Sequence, residues 1–135
     1  MKYAEKKHAT PDDVEERKRT ILIYSPDLNF CFSLSTVFQD RYNVVTTTDP
    51  EFLDTFTTHY TVDLVVVDSD PSSKMISRFQ KMKMRNVNIP ILVLYVYSSK
   101  GVEMDRAVRR YVDGVLYKPF DIDAITDRIQ QLLSH

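Results

Sequence analysis

Two residues of opposite charge, Asp68 and Lys118, stand at the ends of apolar runs and could act together on a charged group. Asp68 ends the run VDLVVVD and is followed by a Ser-Asp-Pro corner, and Lys118 follows GVLY and precedes Pro119. At pH 7 an aspartate carries a negative charge and a lysine a positive charge. The carboxylate could therefore attack an electrophile or bind a cation, provided that the fold brings the lysine beside it.

Five apolar runs, most of them rich in β-branched residues, alternate with segments of helical periodicity. The runs that predict strands are TILIY, YNVVTTT, VDLVVVD, IPILVLYVY and GVLY. Asp49, followed by Pro50, and Asp121 are predicted N-caps of the second and fifth helices. The apolar residues that predict the helices by their spacing are Phe30, Leu34, Val37 and Phe38; Phe52 and Phe56; Met75, Ile76, Phe79 and Met82; Val102, Ala107, Val108 and Tyr111; and Ile122, Ile125, Ile129 and Leu132.

The central runs, 64–67 and 91–96, are apolar on both faces, which is typical of parallel strands covered by helices on both sides. We predict an α/β fold, a flavodoxin-like three-layer (βα)5 doubly wound parallel sheet with strand order 2-1-3-4-5. In such sheets ligands bind beyond the carboxyl ends of the strands, at the switch point between strands 1 and 3. The residues expected at this edge are Ser25, Pro26, Asp27, Asp68, Ser69, Asp70, Tyr95 to Tyr97 and Lys118.

Length and composition indicate one domain in residues 20–135, preceded by a charged tail in residues 1–19. The tail is poor in apolar side chains, so we expect it to be solvated and flexible, with a short helix after Thr10 and Pro11 as one option. A formal net charge of -1 gives no general attraction to nucleic acids or membranes. The single cysteine, Cys31, and the lack of an apolar leader or a membrane-length apolar stretch indicate a cytoplasmic protein. The two glycines are too few for the usual phosphate-binding loops.

An aspartate that ends strand 3 with a proline soon after it, and YKPF at the end of strand 5, resemble the receiver domain of response regulators in two-component systems. The resemblance covers Thr20 to Leu133. It implies a phosphorelay protein, not an enzyme, in which Asp68 accepts a phosphoryl group from a histidine kinase or a phosphotransfer protein. It also implies that Lys118 contacts the phosphate and that the Lys118-Pro119 bond is cis. The surface of helix 4, strand 5 and helix 5 would then bind an output protein or a second copy of the chain.

The same resemblance implies a Mg²⁺ site, which this sequence supports only in part. In receivers the ion is held by an acidic pair after strand 1, by the acceptor and by a backbone carbonyl two residues beyond it. Ser25 and Pro26 occupy the positions of the acidic pair, so the implied ligands are Asp27, Asp68 and the backbone carbonyl of Asp70. The loss of two anions predicts Mg²⁺ binding that is weaker by about tenfold or more.

Two further positions depart from the receiver pattern. Tyr95 replaces the Ser or Thr that ends strand 4, and Val115 replaces the aromatic switch residue three positions before the lysine. We expect Tyr117, next to the lysine, to point to the other face of the sheet by strand alternation. Two hypotheses follow. Either Asp68 is phosphorylated in an atypical pocket, or a direct Lys118–Asp68 bridge makes the domain a phosphorylation-independent pseudo-receiver that docks proteins.

A group of tyrosines and arginines near the predicted fourth helix is a candidate docking surface. Aromatic side chains could anchor a partner there, although core packing explains the tyrosines and a solvated helix face explains the arginines. The residues are Tyr95, Tyr97, Tyr111, Tyr117, Arg106, Arg109 and Arg110.

Overall fold

The computed structural model describes residues 18–134, which form one five-stranded sheet and five α-helices. The strands are β1 (Thr20–Tyr24), β2 (Asn43–Thr47), β3 (Leu64–Asp68), β4 (Ile91–Tyr95) and β5 (Gly114–Tyr117). The helices are α1 (Leu28–Phe38), α2 (Glu51–His59), α3 (Ser73–Arg85), α4 (Val102–Arg109), which follows a 3-10 turn at Ser99–Gly101, and α5 (Ile122–Leu133). Most of the predicted flexible tail, and the short helix considered after Thr10, fall on residues 1–17 and so lie outside the described residues.

The sheet has the predicted topology. Its strand pairings are all parallel and its order is β2-β1-β3-β4-β5. Every residue of β1, β3 and β4 is buried, because these strands are covered on both faces. The chain winds from β1 to β2 on one side and from β3 to β5 on the other, so the carboxyl ends of β1 and β3 border the crevice beside Asp68.

The helices form two layers, each with its own core. On one face of the sheet, Leu34 and Phe38 of α1 share a cluster with Ile125, Ile129 and Leu133 of α5. On the other face, α2, α3 and α4 contribute Leu53, Phe56, Met75, Phe79, Met82 and Val108. The predicted three-layer arrangement is therefore confirmed. Within residues 18–134, no helix has the length and apolarity needed to cross a membrane.

The buried stripes of α1 and α5 differ slightly from the predicted ones. In α1, Cys31 is buried, whereas Val37 is 42% exposed. In α5, Leu133 is buried in place of Leu132, and Ile122 is 47% exposed. An α-helix has 3.6 residues per turn, so a small rotation of the helix about its axis decides which residues at the edges of the apolar stripe are buried and which are exposed.

Two element boundaries also differ from the sequence prediction. β4 ends before Val96, which is 60% exposed although it was predicted in the buried run. α2 begins at Glu51, one residue later than predicted, and Asp49 Oδ1 accepts a hydrogen bond from the Glu51 backbone N at 3.0 Å. The other predicted cap is confirmed, since Asp121 Oδ1 accepts from the Ala124 backbone N at 2.8 Å.

Candidate functional site

Asp68 and Lys118, the two charged residues singled out in the sequence, form an ion pair at the carboxyl edge of the sheet. Asp68 is the last residue of β3 and is 6% exposed. Lys118 follows β5, and its Nζ contacts Asp68 Oδ1. The Lys118-Pro119 peptide bond is cis, as the resemblance implied. The fold therefore brings the two charges together, while their roles as phosphoacceptor and phosphate contact stay predictions.

The side chain of Lys118 packs against an aromatic ring. Its Nζ lies 5.3 Å from the centroid of the Phe30 ring, a distance at which a cation is attracted to the ring face. Phe30 in turn meets Phe120 edge to face, with ring centroids 6.4 Å apart. These contacts, together with the ion pair, hold the ammonium group beside Asp68.

Ser25, which stands where receivers carry an acidic residue, engages the second oxygen of Asp68. Its Oγ donates to Asp68 Oδ2 at 2.7 Å and accepts from the backbone N of Asp27 at 3.0 Å. Ser25 is fully buried, and its backbone N donates to the carbonyl O of Thr47 at 3.1 Å. Both carboxylate oxygens of Asp68 are therefore occupied, one by an ammonium group and one by a neutral hydroxyl.

Asp27, the predicted substitute metal ligand, serves as the N-cap of α1. Its Oδ1 accepts hydrogen bonds from the backbone N of Asn29 at 2.9 Å and of Phe30 at 3.4 Å. An N-cap satisfies backbone donors that would otherwise lack partners, so this carboxylate already has a structural task. The carbonyl O of Asp70, the other predicted ligand, accepts from the Ser69 hydroxyl at 3.1 Å.

The three predicted ligands, Asp27, Asp68 and the backbone carbonyl of Asp70, do not form an arrangement that fits Mg²⁺. Magnesium requires a near-octahedral shell of oxygens and is normally held by carboxylates together with water. No three His, Cys, Asp or Glu side chains come together as possible metal ligands anywhere in residues 18–134. A cation at Asp68 would compete with Lys118 and Ser25, and one at Asp27 with the start of α1. The ligand roles of Asp27, Asp68 and Asp70 stay predictions.

Cys31 is a buried thiol close to the same pocket. It is 1% exposed, and its Sγ lies 3.7 Å from the carbonyl oxygens of Ser25 and Thr47. Burial raises the pKa of the thiol, and the negative charges of Asp68 and Asp27 act in the same direction. The backbone carbonyl of Ser25 acts the other way but is outweighed, so both burial and the raised pKa disfavour a reactive thiolate at this position.

Tyr95, at the position of the receiver's strand 4 Ser or Thr, directs its hydroxyl to α4. It is 3% exposed, and its Oη donates to Oδ1 of Asp105. Tyr117 Oη donates to the same Oδ1 at 2.8 Å, and Arg109 Nε donates to Asp105 Oδ2 at 3.2 Å. Arg109 Nη2 also donates to Tyr117 Oη at 2.7 Å. These four residues, here called the tyrosine–aspartate network, join β4, α4 and β5.

The charge states in the tyrosine–aspartate network follow from burial and hydrogen bonding. Burial raises the pKa of Tyr95, and its hydrogen bond to Asp105 raises it further. Burial also acts to raise the pKa of Asp105, but the hydrogen bonds from Tyr95, Tyr117 and Arg109 outweigh it, and the pKa is lowered. At neutral pH the Asp105 carboxylate is thus ionised and is held by the hydroxyls of Tyr95 and Tyr117 and by the Arg109 guanidinium.

Tyr117 points to the same face of the sheet as Val115, so our expectation that it faces the other way is wrong. The two residues are two positions apart on β5, and side chains two apart in a strand share a face. Val115 belongs to the cluster that contains Tyr95, and Tyr117 packs against that cluster. The strand register places Tyr117 opposite Tyr95, and their rings meet edge to face with centroids 5.7 Å apart.

Sequence reasoning missed Asp105, which the structure places at the centre of this network. A charged residue on a predicted helix is normally expected to face solvent, yet Asp105 is only 9% exposed. One signal was present: Asp105 stands four residues before Arg109, a spacing that places the two charges side by side on a helix. Arg106 and Arg110, by contrast, lie exposed, as the solvated-face explanation predicts.

No protein-family profile matches the sequence, and no curated protein matches it. Solved structures do match. The N-terminal signal receiver domain of a two-component response regulator from Bacteroides fragilis matches with a TM-score of 0.75 at 16% identity, covering 88% of this chain and 99% of that one. The chemotaxis protein CheY4 from Vibrio cholerae matches with a TM-score of 0.73 at 20% identity, covering 87% of this chain and 100% of that one.

An adenylate cyclase from Rhodopirellula baltica also matches, with a TM-score of 0.75 at 18% identity over 87% of this chain and 89% of that one. Most of the similar structures are receiver domains. The chain therefore has the α/β fold of response-regulator receiver domains, and the resemblance seen in Asp68 and YKPF is confirmed for the fold. A shared fold does not establish an activity, because function depends on the residues of the site.

Proposed function

We propose that this chain is a signal-receiver domain of a two-component pathway in which magnesium-dependent phosphorylation of Asp68 is impaired. The receiver fold and the Asp68–Lys118 ion pair support the receiver role. The impairment rests on one observation, the Ser25 hydroxyl 2.7 Å from Asp68 Oδ2. A neutral hydrogen-bond donor occupies the position from which a carboxylate would attract the metal.

Electrostatics explains why this change matters. Phosphoryl transfer to an aspartate brings one anion against another, so the pocket must supply positive charge. Lys118 supplies one unit and is already paired with Asp68 Oδ1. A unit charge about 4 Å away is worth about 4 kcal/mol at an effective dielectric constant of 20. A pocket that attracts a divalent ion only weakly therefore lacks a large part of the countercharge that the transfer needs.

The proposed domain acts by binding other proteins and not by catalysis. Its expected partners are a histidine kinase or a phosphotransfer protein, and an output protein that contacts α4, β5 and α5. A second copy of the chain is a further candidate for the same surface. Cyclase activity is a property of one structural neighbour, and the pocket residues of this chain provide no support for it, since Asp68 is buried and both of its oxygens are engaged.

A second candidate function is a pseudo-receiver that docks proteins without any phosphorylation. Two contacts favour it. Lys118 Nζ contacts Asp68 Oδ1 directly, and the Tyr95 hydroxyl is hydrogen-bonded to Asp105 instead of facing Asp68. The two candidates differ in whether Asp68 can be phosphorylated at all.

Incubation of the full chain with acetyl phosphate, with and without Mg²⁺, separates the two candidates. Intact-mass measurement should detect slow addition of one phosphoryl group, and 10 mM Mg²⁺ should accelerate it by less than about threefold, since the metal is weakly held. Asp68→Asn should abolish the addition, whereas Asp40→Asn, which changes an exposed carboxylate between α1 and β2, should leave it unchanged.

Three other results of the acetyl phosphate experiment would change the assignment or decide between the two candidates. Rapid labelling that depends strongly on Mg²⁺ would overturn the proposed impairment. No labelling of the wild-type chain under either condition would support the pseudo-receiver. Labelling that persists in Asp68→Asn would place the acceptor elsewhere and contradict both candidates.

A further inference from the structure

The loop after β3 and the loop after β4 enclose a surface cavity of about 330 Å³. Its apolar walls include Pro71, Val96, Tyr97 and Met104, and the carboxylate residues Asp70 and Asp105 also line it. A volume near 300 Å³ lies at the lower end of the range for ligand pockets and accommodates one or two large side chains. The cavity is adjacent to the Asp68 pocket but contains neither Asp68 nor Lys118.

Apolar surface continues from the cavity to the outside of the molecule. Val96 is 60% exposed and Tyr97 is 46% exposed. They are neighbours in the chain, both line the cavity, and they extend the apolar run of β4 beyond the last residue of the strand. Single exposed apolar residues are common, but apolar side chains grouped around a concave site are typical of binding surfaces.

One wall of the cavity is held in place before any partner binds. The Tyr97 ring meets the Tyr117 ring edge to face, with centroids 5.2 Å apart. Tyr117 is hydrogen-bonded to Asp105 and to Arg109. Side chains that are already ordered lose less conformational entropy on binding, which favours affinity.

The charge at the mouth of the cavity favours a basic partner. The charged side chains among the described residues that line it, Asp70 and Asp105, are both acidic. Asp105 is neutralised within the tyrosine–aspartate network by Arg109. Asp70 is exposed and forms no ion pair within residues 18–134, so its negative charge is available to a partner.

We propose that this cavity is a docking site for a peptide segment of a partner protein in which a large apolar side chain stands next to a lysine or arginine. The apolar side chain fills the space between Tyr97 and Met104, and the basic side chain pairs with Asp70. The site shares Met104 and Asp105 of α4 with the expected surface of α4, β5 and α5, but it lies between α4 and the loop after β3, and it does not depend on whether Asp68 is phosphorylated. It therefore stands or falls separately from the proposed function.

The test uses capped hexapeptides with a phenylalanine or leucine between arginines, and matched peptides with glutamates in place of the arginines. Each peptide is titrated into the full ¹⁵N-labelled chain while amide chemical shifts are recorded. We expect the basic peptides to shift the amides of Val96, Tyr97, Gly101 and Met104 with a Kd of about 0.1 to 1 mM. The acidic peptides should bind at least about tenfold more weakly.

Variants then assign the contacts. Asp70→Lys and Tyr97→Ala should each weaken binding of the basic peptide by about tenfold. Glu103→Lys is the matched control, because Glu103 is an exposed acidic residue beside Met104 that does not line the cavity, and it should change the Kd by less than about twofold. The amide spectrum also reports whether each variant is folded. Equal binding of acidic peptides, shifts confined to another surface, or no saturable shift at millimolar peptide would overturn the proposal.

Discussion

Tyr95 and Tyr117 stand opposite each other on neighbouring parallel strands and donate hydrogen bonds to the same oxygen of Asp105. Receivers carry a small hydroxyl residue at the first of these positions, and here a long side chain extends across to α4 instead. Arg109 completes the arrangement by donating both to Asp105 and to Tyr117. The end of β4, helix α4 and strand β5 are thereby linked without any contribution from Asp68.

The Tyr95 hydroxyl should contribute measurably to stability. We expect Tyr95→Phe to lower the free energy of unfolding by about 1.5 to 3 kcal/mol, because the buried carboxylate of Asp105 loses one of its donors. Tyr95 is 3% exposed, so water does not easily replace the hydroxyl. Urea denaturation followed by circular dichroism measures the change. In the control Tyr97→Phe, which removes a hydroxyl from a residue that is 46% exposed, the change should stay below about 0.5 kcal/mol. Equal losses in the two variants would contradict the assignment.

The lowered pKa of Asp105 makes a prediction about acid stability. Although burial acts to raise this pKa, the hydrogen bonds outweigh it, so the folded value lies below the unfolded one. Asp105 then adds stability above its unfolded pKa of about 4, and this contribution is lost as the pH falls through its lower folded pKa. Urea denaturation at several pH values should show that, as the pH falls from 6 to 2.5, the free energy of unfolding decreases less in Asp105→Asn than in the wild-type chain. Parallel pH profiles for the two chains would show that Asp105 does not contribute in this way.

The fold could be predicted from the sequence because its signals are periodic and local. Runs such as VDLVVVD are apolar on both faces, and the segments between them carry apolar residues at helical spacing. Asp68 and Lys118 could be placed at one edge because parallel strands direct their carboxyl ends the same way. The position of each residue in its strand was sufficient for that inference.

The contacts of the site could not be predicted in the same way, because they depend on side-chain direction and on packing between distant elements. Asp105 is buried where Tyr95 and Tyr117 reach it from two different strands and donate hydrogen bonds to it. Asp27 looks like a possible metal ligand in the sequence, but its carboxylate turns to the start of α1. Sequence position gives the neighbourhood of a side chain and leaves its hydrogen-bond partner undetermined.

The ion pair between Lys118 and Asp68 predicts that neutralising the lysine lowers stability more than neutralising the aspartate does. Lys118→Met should lower the free energy of unfolding by about 1 to 3 kcal/mol, because the Asp68 carboxylate, with 8% of its side chain exposed, loses its countercharge. The loss is limited because the Lys118 side chain is 33% exposed and water screens the pair. Asp68→Asn should cost less, since a neutral amide can still accept from Ser25.

A double-mutant cycle measures the coupling between these two residues. In the Asp68→Asn background, Lys118→Met should be nearly neutral, which corresponds to a coupling energy of about 1 to 3 kcal/mol. Lys74→Met serves as a control, because Lys74 is exposed and forms no ion pair within residues 18–134. Strict additivity of the two changes at the pocket would mean that the contact contributes nothing to stability.

Restoring the acidic pair should restore a response to magnesium. The double variant Ser25→Asp, Pro26→Asp places new carboxylates beside Asp68, and without metal their mutual repulsion should lower the melting temperature. Addition of 10 mM Mg²⁺ should then raise it by about 3 to 6 °C, which corresponds to a Kd of about 1 mM by mass action. The wild-type chain, whose Asp68 is held by Ser25 and Lys118, should respond by less than about 1 °C.

Adding Asp68→Asn to the double variant provides the control, because it removes the carboxylate that the metal would share with the new pair. Most of the magnesium response should then disappear, while the amide spectrum stays that of a folded protein. Ser25 is fully buried, so Ser25→Asp could disturb packing, whereas Pro26 is exposed. The single variant Pro26→Asp therefore measures the magnesium response of one added carboxylate without a change in the core. A wild-type chain stabilised by Mg²⁺ as strongly as the double variant would show that Ser25 is no obstacle to the metal, and the proposed impairment would have to be abandoned.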